Sequence, residues 1–496
     1  MAAEASIQEK KVYETESDQY VAASSVEEGD VVFEQEAAKA LRKVDFSVLP
    51  LLFLGLLVFQ LDRMNIGSAL TGGFATDIHV SLDTINLGNQ LMFMGIVIFE
   101  IPCNMALQRL GPRKWIAAQV LAFGITASLQ VFIKNRAGYL ASRLILGFCE
   151  SGYIPGAIYT LSTWYTKKEL ARRVAIFFFG MFGGNAISPV LASGILKLDG
   201  RRGMHGWQWL FLLEGLFTIS VSLILLVFLP GSPDAPRPLL SPGLIRFSEA
   251  DRDALRRRLE NDDAEGKAPS AQGLHISLGL VWKTVSHWQR WPHYVSTFAV
   301  FSNWAALTTY TPSIMVSLGW SPIPANALAA VGAFLALLVV FAFAWVSDRT
   351  NLRGGTVIAA QVCYLVALVV ARQVHPHVGQ WSRWGLWTTV NAFAVGYHPV
   401  HNTWVQLNCR TAGERSISIA MWVMSAISGL MVGTQYYRAS DKDNFYHKGL
   451  LTQIMMVMVG IVFAALQIVV YVVHNRRVRQ GKHKLSDGEE PQIYVP

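Results

Sequence analysis

The sequence predicts an all-α membrane protein, with twelve transmembrane helices in two pseudo-symmetric six-helix bundles. Three observations lead there. The chain is 52% hydrophobic and only 15% charged, whereas a soluble domain carries about a quarter charged residues. Twelve apolar runs approach the roughly 20 residues needed to cross a hydrocarbon core of about 30 Å. The chain also divides six, gap, six, with a weak repeat between the halves. Most of the runs lack the polar face that helices of a soluble protein would show.

Taken in order, the runs lie near 47–68, 85–108, 115–133, 138–164, 173–196 and 207–229, then 291–317, 325–347, 354–373, 384–407, 416–437 and 449–473. Residues 1–45 are acidic and polar, with no apolar core to insert, and read as a disordered tail. The N-terminal bundle is expected at 46–230, a central loop at 231–290, the C-terminal bundle at 291–474 and a second tail at 475–496. In the central loop, "PGSPDAPRP" is a stiff exit. "FSEADRDALRRRLENDD" pairs Ser248 with Asp251 as a capping-box start for a short amphipathic helix. "EGKAPSAQG" reads as a flexible link.

Basic residues set the orientation. Arg42 and Lys43 precede the first run. Arg109, Arg113 and Lys114 follow the second, Lys167, Lys168, Arg172 and Arg173 the fourth, Arg349 and Arg353 the eighth, Arg410 and Arg415 the tenth, and Arg476, Arg477 and Arg479 the twelfth. Alternating spans put all of these on one side, which the positive-inside rule makes cytoplasmic together with both termini. Lys197, Arg201 and Arg202 run against the pattern in an outer loop. The net charge of +8 is thereby spent on membrane topology, and no nucleic-acid partner is expected. The four cysteines, Cys103, Cys149, Cys363 and Cys409, lie in or at the ends of spans and read as inert buried thiols. No metal, redox, phosphate-loop or Ser/His/Asp pattern is visible, so neither a cofactor nor enzymatic activity is expected.

The internal repeat pairs "NMALQRLGPRK" (104–114) with "AWVSDRTNLRG" (344–354), so that Arg109 matches Arg349 and Arg113 matches Arg353. Such a loop is a latch whose cations meet helix C-termini and acidic partners. Gln108 stands where the second copy has Asp348, which weakens the first latch.

With "LDRMNIGSA", "IFEIPCN", "RLILGFCESGYIPGAIYTLSTWY", "WQWLFLLEG" and "QYYRASDKDNFYHKG" in this order across both halves, the chain resembles a major facilitator superfamily transporter over about residues 45–475. More narrowly it resembles the anion:cation symporter group and its fungal allantoate-permease-like branch. The resemblance implies alternating-access transport of a small organic anion, typically a carboxylate, with a coupling cation. It also implies a functional Arg at position 63.

The charges inside the runs carry the chemistry. A charged residue at the bilayer centre costs about 2.5–3.5 kcal/mol on insertion scales, so such residues face a bundle interior or a watery cavity. In the fourth run, Arg143, Gly147 and Glu150 share a helical stripe. Seven residues rise about 10.5 Å, too far for Arg143 and Glu150 to pair, and Gly147 is expected to leave an opening between them. Arg143 is the candidate fork for a substrate carboxylate, and Glu150 the candidate proton carrier. Asp62 and Arg63 diverge by about 100° on their helix. Arg63 is expected to face the cavity near its outer mouth, and Asp62 to fasten the helix to a neighbour. Glu100 and Glu214 read as structural.

In the tenth run Pro399 loosens the helix, and His398 and His401, three residues apart, are expected to face the path. His398 and Asn402 are candidates for substrate contact, His401 for proton coupling. Asn89, Asn185, Asn303, Trp304 and Tyr310 are candidates for a polar and aromatic wall, with Asn89 and Tyr310 as substrate contacts. Arg109, Arg113, Asp348, Arg349 and Arg353 are assigned to gating. The expected protein is a monomeric, multi-pass carrier in the plasma membrane that moves a small organic anion with a proton. An exporter of a fungal metabolite and a transporter-like nutrient receptor are the alternatives.

Overall fold

The computed structural model describes residues 33–243, 245–265, 278–441, 444–480 and 492–496. It shows an all-α membrane protein of twelve spans in two pseudo-symmetric six-helix bundles. The first three spans are Leu49–Thr71, Leu82–Leu110 and Pro112–Leu129; the fifth and sixth are Lys167–Ile195 and Gly206–Phe228. The seventh to ninth are Trp291–Ser317, Pro322–Thr350 and Arg353–Val374, and the last two Ala412–Gly433 and His447–Arg479. Among the described residues, ten helices are long and apolar enough to cross a membrane. The seventh span falls short because it buries a polar row of its own, including Ser296, Thr297, Ser302, Asn303 and Thr309.

The fourth and tenth spans are broken. The fourth runs Arg136–Glu150, then Tyr153–Ser162. Gly152 sits at φ +78° between the two pieces, a left-handed conformation that favours glycine. The break frees helix-end carbonyls, and the Gln119 amide of the third span donates to the carbonyl of Ser151. Ser151 Oγ in turn donates to the Ile96 carbonyl of the second span at 3.1 Å. The tenth span runs Gln380–Phe393, then His398–Leu407. Pro399 falls in the first turn of the second piece, where the donor it lacks has no partner to lose.

Three helix starts carry conventional side-chain caps. Ser81 accepts from the Thr84 amide at 3.3 Å, Asn135 from Gly138 at 2.9 Å and Thr411 from Glu414 at 3.2 Å. Between the halves, the predicted amphipathic helix occupies Glu249–Glu265, and Ser248 and Asp251 cap each other reciprocally. The Asp251 carboxylate also pairs with Lys43 at 2.5 Å. Burial alone would raise its pKa, but the Lys43 ammonium and the bonds from Ser248 outweigh that and hold it below the usual range. The "EGKAPSAQG" link lies largely outside the described residues, as do residues 1–32.

Residues 33–45 differ from the expected tail. Phe33–Thr71 is helical throughout save a turn at Val48. Ala37, Ala40 and Val44 form a buried stripe, and Asp45 pairs with Arg173 of the fifth span at 3.0 Å. The apolar spacing of three and four residues is present in the sequence, but the surrounding charges obscure it.

Close helix approaches come from small residues. Gly147 packs on the backbone of Met92, so it closes the fourth span onto the second instead of leaving the expected opening. Gly429 and Gly433 pack likewise on the carbonyls of Phe298 and Ser302.

The halves meet on the side opposite the chain's ends. There Asn86 Nδ2 donates to the Tyr437 carbonyl at 3.1 Å, Asn89 Nδ2 to Thr309 Oγ1 at 3.3 Å and Asn326 Nδ2 to Thr71 Oγ1 at 2.8 Å. The Tyr310 hydroxyl donates to Asn86 Oδ1, and Gly67 lies against the Thr309 carbonyl. Among the described residues, the hydrogen bonds joining the halves gather here, and the ion pairs on the termini side stay within one half or reach the central helix. The conformation is closed opposite the termini.

Candidate functional site

A row of charged and amide side chains crosses the middle of the N-terminal half. Arg63 Nε donates to Glu150 Oε2 at 2.6 Å, joining the first span to the fourth. The guanidinium lies 4.1 Å from the centroid of the Phe59 ring and 5.9 Å from that of Phe93, a cation–π seat that keeps its plane fixed. Arg63 retains 15% side-chain exposure, whereas Glu150 is sealed. Arg63 thus reaches toward the fourth span at mid-depth and is not a lone cation at an outer mouth.

Arg143 is fully buried. Its Nη2 donates to Asn89 Oδ1 at 2.7 Å. Its Nε and Nη1 have no hydrogen-bond partner, and no carboxylate pairs with it among the described residues. Asn89 relays this contact across the interface to Thr309. A buried guanidinium with two unanswered nitrogens is an expensive arrangement. An arriving carboxylate would meet that unfilled demand with two parallel bonds.

Asp62 turns away from Arg63, as adjacent helical positions must. Its Oδ2 accepts from Thr218 Oγ1 of the sixth span at 3.0 Å. Glu214, one turn before Thr218, is buried with both carboxyl oxygens unpartnered. Glu100 is half-buried with Oε2 unpartnered.

The tenth span does not place its two histidines alike. His398 is half-buried, stacked on Phe301 at 4.6 Å and tilted against Trp422 at 4.5 Å. His401 is fully buried inside the C-terminal bundle. It meets His293 at 3.0 Å and Thr297 at 3.3 Å, and His293 reaches the Tyr471 hydroxyl at 3.0 Å. The expectation that both face one path is corrected: the helix restarts at His398, and His401 points at the seventh span. Asn402 is half-buried and accepts from Gln406 at 3.2 Å. Tyr310 is fully buried. It belongs to the closed interface, where its hydroxyl meets Asn86, and not to an open wall. Asn303 binds the Gln453 carbonyl at 3.2 Å within the C-terminal bundle.

Asn185, Trp304, Thr308 and Asn391 line a crevice between the halves with Met64 and Pro189. Neither Arg63 nor Arg143 opens into that crevice. Asn185 also accepts from Gln60 at 2.7 Å.

In the latch loops, Arg353 binds Asp348 at 2.5 Å and Ser347 at 2.8 Å. Arg349 rests on the Trp345 ring at 5.6 Å. Arg113 donates to the Arg237 carbonyl in the central loop, and Arg109 is exposed. The side chain of Gln108 lies outside the described residues.

Several site-building residues escaped the sequence reading. Asn86 and Thr309 had no signal, being ordinary polar residues in apolar spans. Arg290 is almost wholly buried, bound to Glu414 at 2.7 Å and to the Asn408 carbonyl at 2.8 Å. The legible hint was "CRTAGERS", a charged loop beside a lone Arg at a span start.

A two-bundle, twelve-span fold with a buried charged row inside its N-terminal half has the architecture of a membrane transporter. The profile of the Major Facilitator Superfamily matches residues 52–436, and the chain belongs to that superfamily. An uncharacterised transporter of Saccharomyces cerevisiae is 26% identical, covering 89% of this chain and 80% of the yeast protein. A protein of Agrobacterium vitis provisionally named a tartrate transporter is 28% identical over 69% of this chain and 72% of its own length. Among solved structures, the partially occluded inward-open xylose transporter XylE from E. coli superposes with a TM-score of 0.63 at 13% identity. That match covers 84% of this chain and 96% of XylE.

Proposed function

We propose that the protein is a proton-coupled carrier of a small organic anion, of the anion:cation symporter group and its allantoate-permease-like branch. The observation that carries this reading is Arg143: fully buried, held by Asn89, and without an anionic partner among the described residues. The name of the Agrobacterium vitis relative, a tartrate transporter, points to the same chemical class.

Arg63 and Glu150 supply the coupling. In this closed-on-one-side state Glu150 neutralises Arg63. A substrate carboxylate seated between Arg143 and Arg63 would compete for the Arg63 guanidinium. Glu150, released from its cation in a dry site, would then take up a proton. One anion and one proton thereby enter together. Asn89 links the occupied site to Thr309, so binding is felt at the contacts that join the halves. Rocking of the halves about the site gives alternating access. His398 and Asn402, both half-buried, are the substrate contacts assigned to the C-terminal half. The functional unit is a monomer of the plasma membrane with both termini cytoplasmic, which makes the observed conformation inward-facing.

The test is uptake of labelled small mono- and dicarboxylates by proteoliposomes carrying the purified protein. Accumulation driven by an imposed proton gradient and abolished in Arg143→Ala supports the reading. Uptake that ignores the proton gradient removes the coupling role of Glu150.

A further inference from the structure

The last described residues, Gln492–Pro496, lie in a socket on the termini side of the C-terminal half. Two asparagines hold the backbone of consecutive residues. Asn475 of the twelfth span donates to the Tyr494 carbonyl at 2.7 Å and accepts from the Tyr494 amide at 2.9 Å. Asn408, at the end of the tenth span, donates to the Val495 carbonyl at 3.1 Å and accepts from the Val495 amide at 2.7 Å. Trp404 Nε1 adds a third bond to the Val495 carbonyl at 2.8 Å. Each asparagine reads a residue as a neighbouring β-strand would, by one donor and one acceptor.

The Tyr494 ring is the anchor. It is 4% exposed and stacks on Tyr471 at 4.6 Å with an interplanar angle of 18°. Its hydroxyl lies 3.3 Å from Gln289 and 3.4 Å from His287, just before the seventh span. Gln492 adds bonds to the Asn408 carbonyl at 3.1 Å and from Arg410 at 3.0 Å. Ile493, which points outward, is 59% exposed. Asn408 and Trp404 are fully buried with the segment in place. Without it, Trp404 Nε1 and Asn408 Oδ1 would lose these partners, while Asn408 Nδ2 would keep its bond to the Trp404 carbonyl at 2.9 Å.

We propose that this socket is a peptide-binding site and that the chain's own Tyr494-Val495 pair is its ligand. The docked segment ties the entry to the seventh span, the end of the tenth and the twelfth into one unit. Alternating access requires each half to move as a rigid body, and the brace bonds to three helix ends of the C-terminal half. Through Tyr471 it also abuts the buried His293–His401 pair.

Peptide binding and stability test this without reference to the transported solute. In the full-length protein, the amides of Tyr494 and Val495 should exchange slowly with deuterium, and Ile493 rapidly. Deleting residues 492–496 should lower the melting temperature by several degrees. The free peptide PQIYVP should bind the deleted protein saturably and restore the melting temperature, while a scrambled peptide does neither. The intact protein should bind the free peptide at least about tenfold more weakly, because its own segment competes at high effective concentration. Asn475→Leu should release the slow exchange at Tyr494 in the full chain. Rapid exchange at Tyr494 and Val495 in the unaltered protein overturns the proposal, even if the deleted protein does not fold. Equal peptide binding by intact and deleted proteins overturns it as well.

Discussion

Arg63 Nε lies 2.6 Å from Glu150 Oε2, although the fourth span that carries Glu150 has an arginine of its own. Arg143 and Glu150 share a helical stripe but sit seven residues apart, and the fourth span ends its first piece at Glu150. Glu150 therefore turns to the first span, and Arg143 is left with an amide for company. On that division rests the proposal that Arg63 serves coupling and Arg143 binds the anion.

The binding arginine should tolerate nothing else. Arg143→Lys keeps the charge but loses the planar fork. Its kcat/KM for a carboxylate substrate should fall at least tenfold, which corresponds to about 1.4 kcal/mol. Arg143→Ala should lose transport altogether while remaining folded, because no carboxylate among the described residues forms a direct ion pair with Arg143. Transport assays and melting curves on the same preparations separate these effects.

Glu150→Gln preserves size and a hydrogen bond to Arg63 but cannot exchange a proton. This variant should lose accumulation driven by a proton gradient while retaining exchange of labelled for unlabelled substrate across the membrane. Counterflow and gradient-driven uptake, measured side by side, check this. By contrast, Arg63→Ala strands Glu150 without its cation, and removal of one partner of a buried pair costs about 3–5 kcal/mol. That variant should show a lowered melting temperature unless Glu150 is replaced as well.

Gly67 lies against the Thr309 carbonyl, where a methyl group would come within 2.7 Å of the oxygen. Gly67→Val should disfavour the closed contact between halves. Overpacking costs about 1–3 kcal/mol, or about 5- to 150-fold in an equilibrium. A cysteine placed at Thr71 on a background lacking the four native cysteines should then react faster with an impermeant reagent applied opposite the termini.

The link between the first helix and the central helix should be acid-sensitive. The Asp251 carboxyl is held below its usual range chiefly by Lys43 and Ser248, against the opposing effect of burial. A depressed carboxyl pKa contributes stability above the unfolded value of about 3.9 and loses it as pH falls through the folded value. Thermal stability should therefore gain from this site at neutral pH and lose that gain below about pH 4, and Asp251→Asn should show the smaller loss. Ser248→Ala removes the helix cap at a cost of about 1 kcal/mol.

Much of this was legible in the sequence. Apolar run length and alternating basic ends gave the spans, and the stripe of Arg143, Gly147 and Glu150 gave the charged row. The break in the fourth span was missed by the sequence reading, which drew one run over 138–164, although Gly152 followed by Pro155 is a helix stop and restart. Other features depend on which helices face each other, and no single-helix period encodes that. The pairing of Arg63 with Glu150 is one, and the capture of His401 by His293 another. Tyr310 looked like a pocket wall because an aromatic residue in an apolar span serves either role; its neighbour Asn86 decides between them. Tyr494 and Val495 had no signal at all, because the asparagines that bind them, Asn475 and Asn408, stand 19 and 87 residues away in the chain.

The most direct measurement compares a carboxylate substrate with its uncharged primary amide, using equilibrium binding to the purified protein and to Arg143→Gln. The expected result is that the carboxylate binds the unaltered protein at least tenfold more tightly than the amide, and that Arg143→Gln erases the difference. Equal binding of the two ligands, or a preference that survives in Arg143→Gln, would contradict the assignment of Arg143 as the anion-binding group.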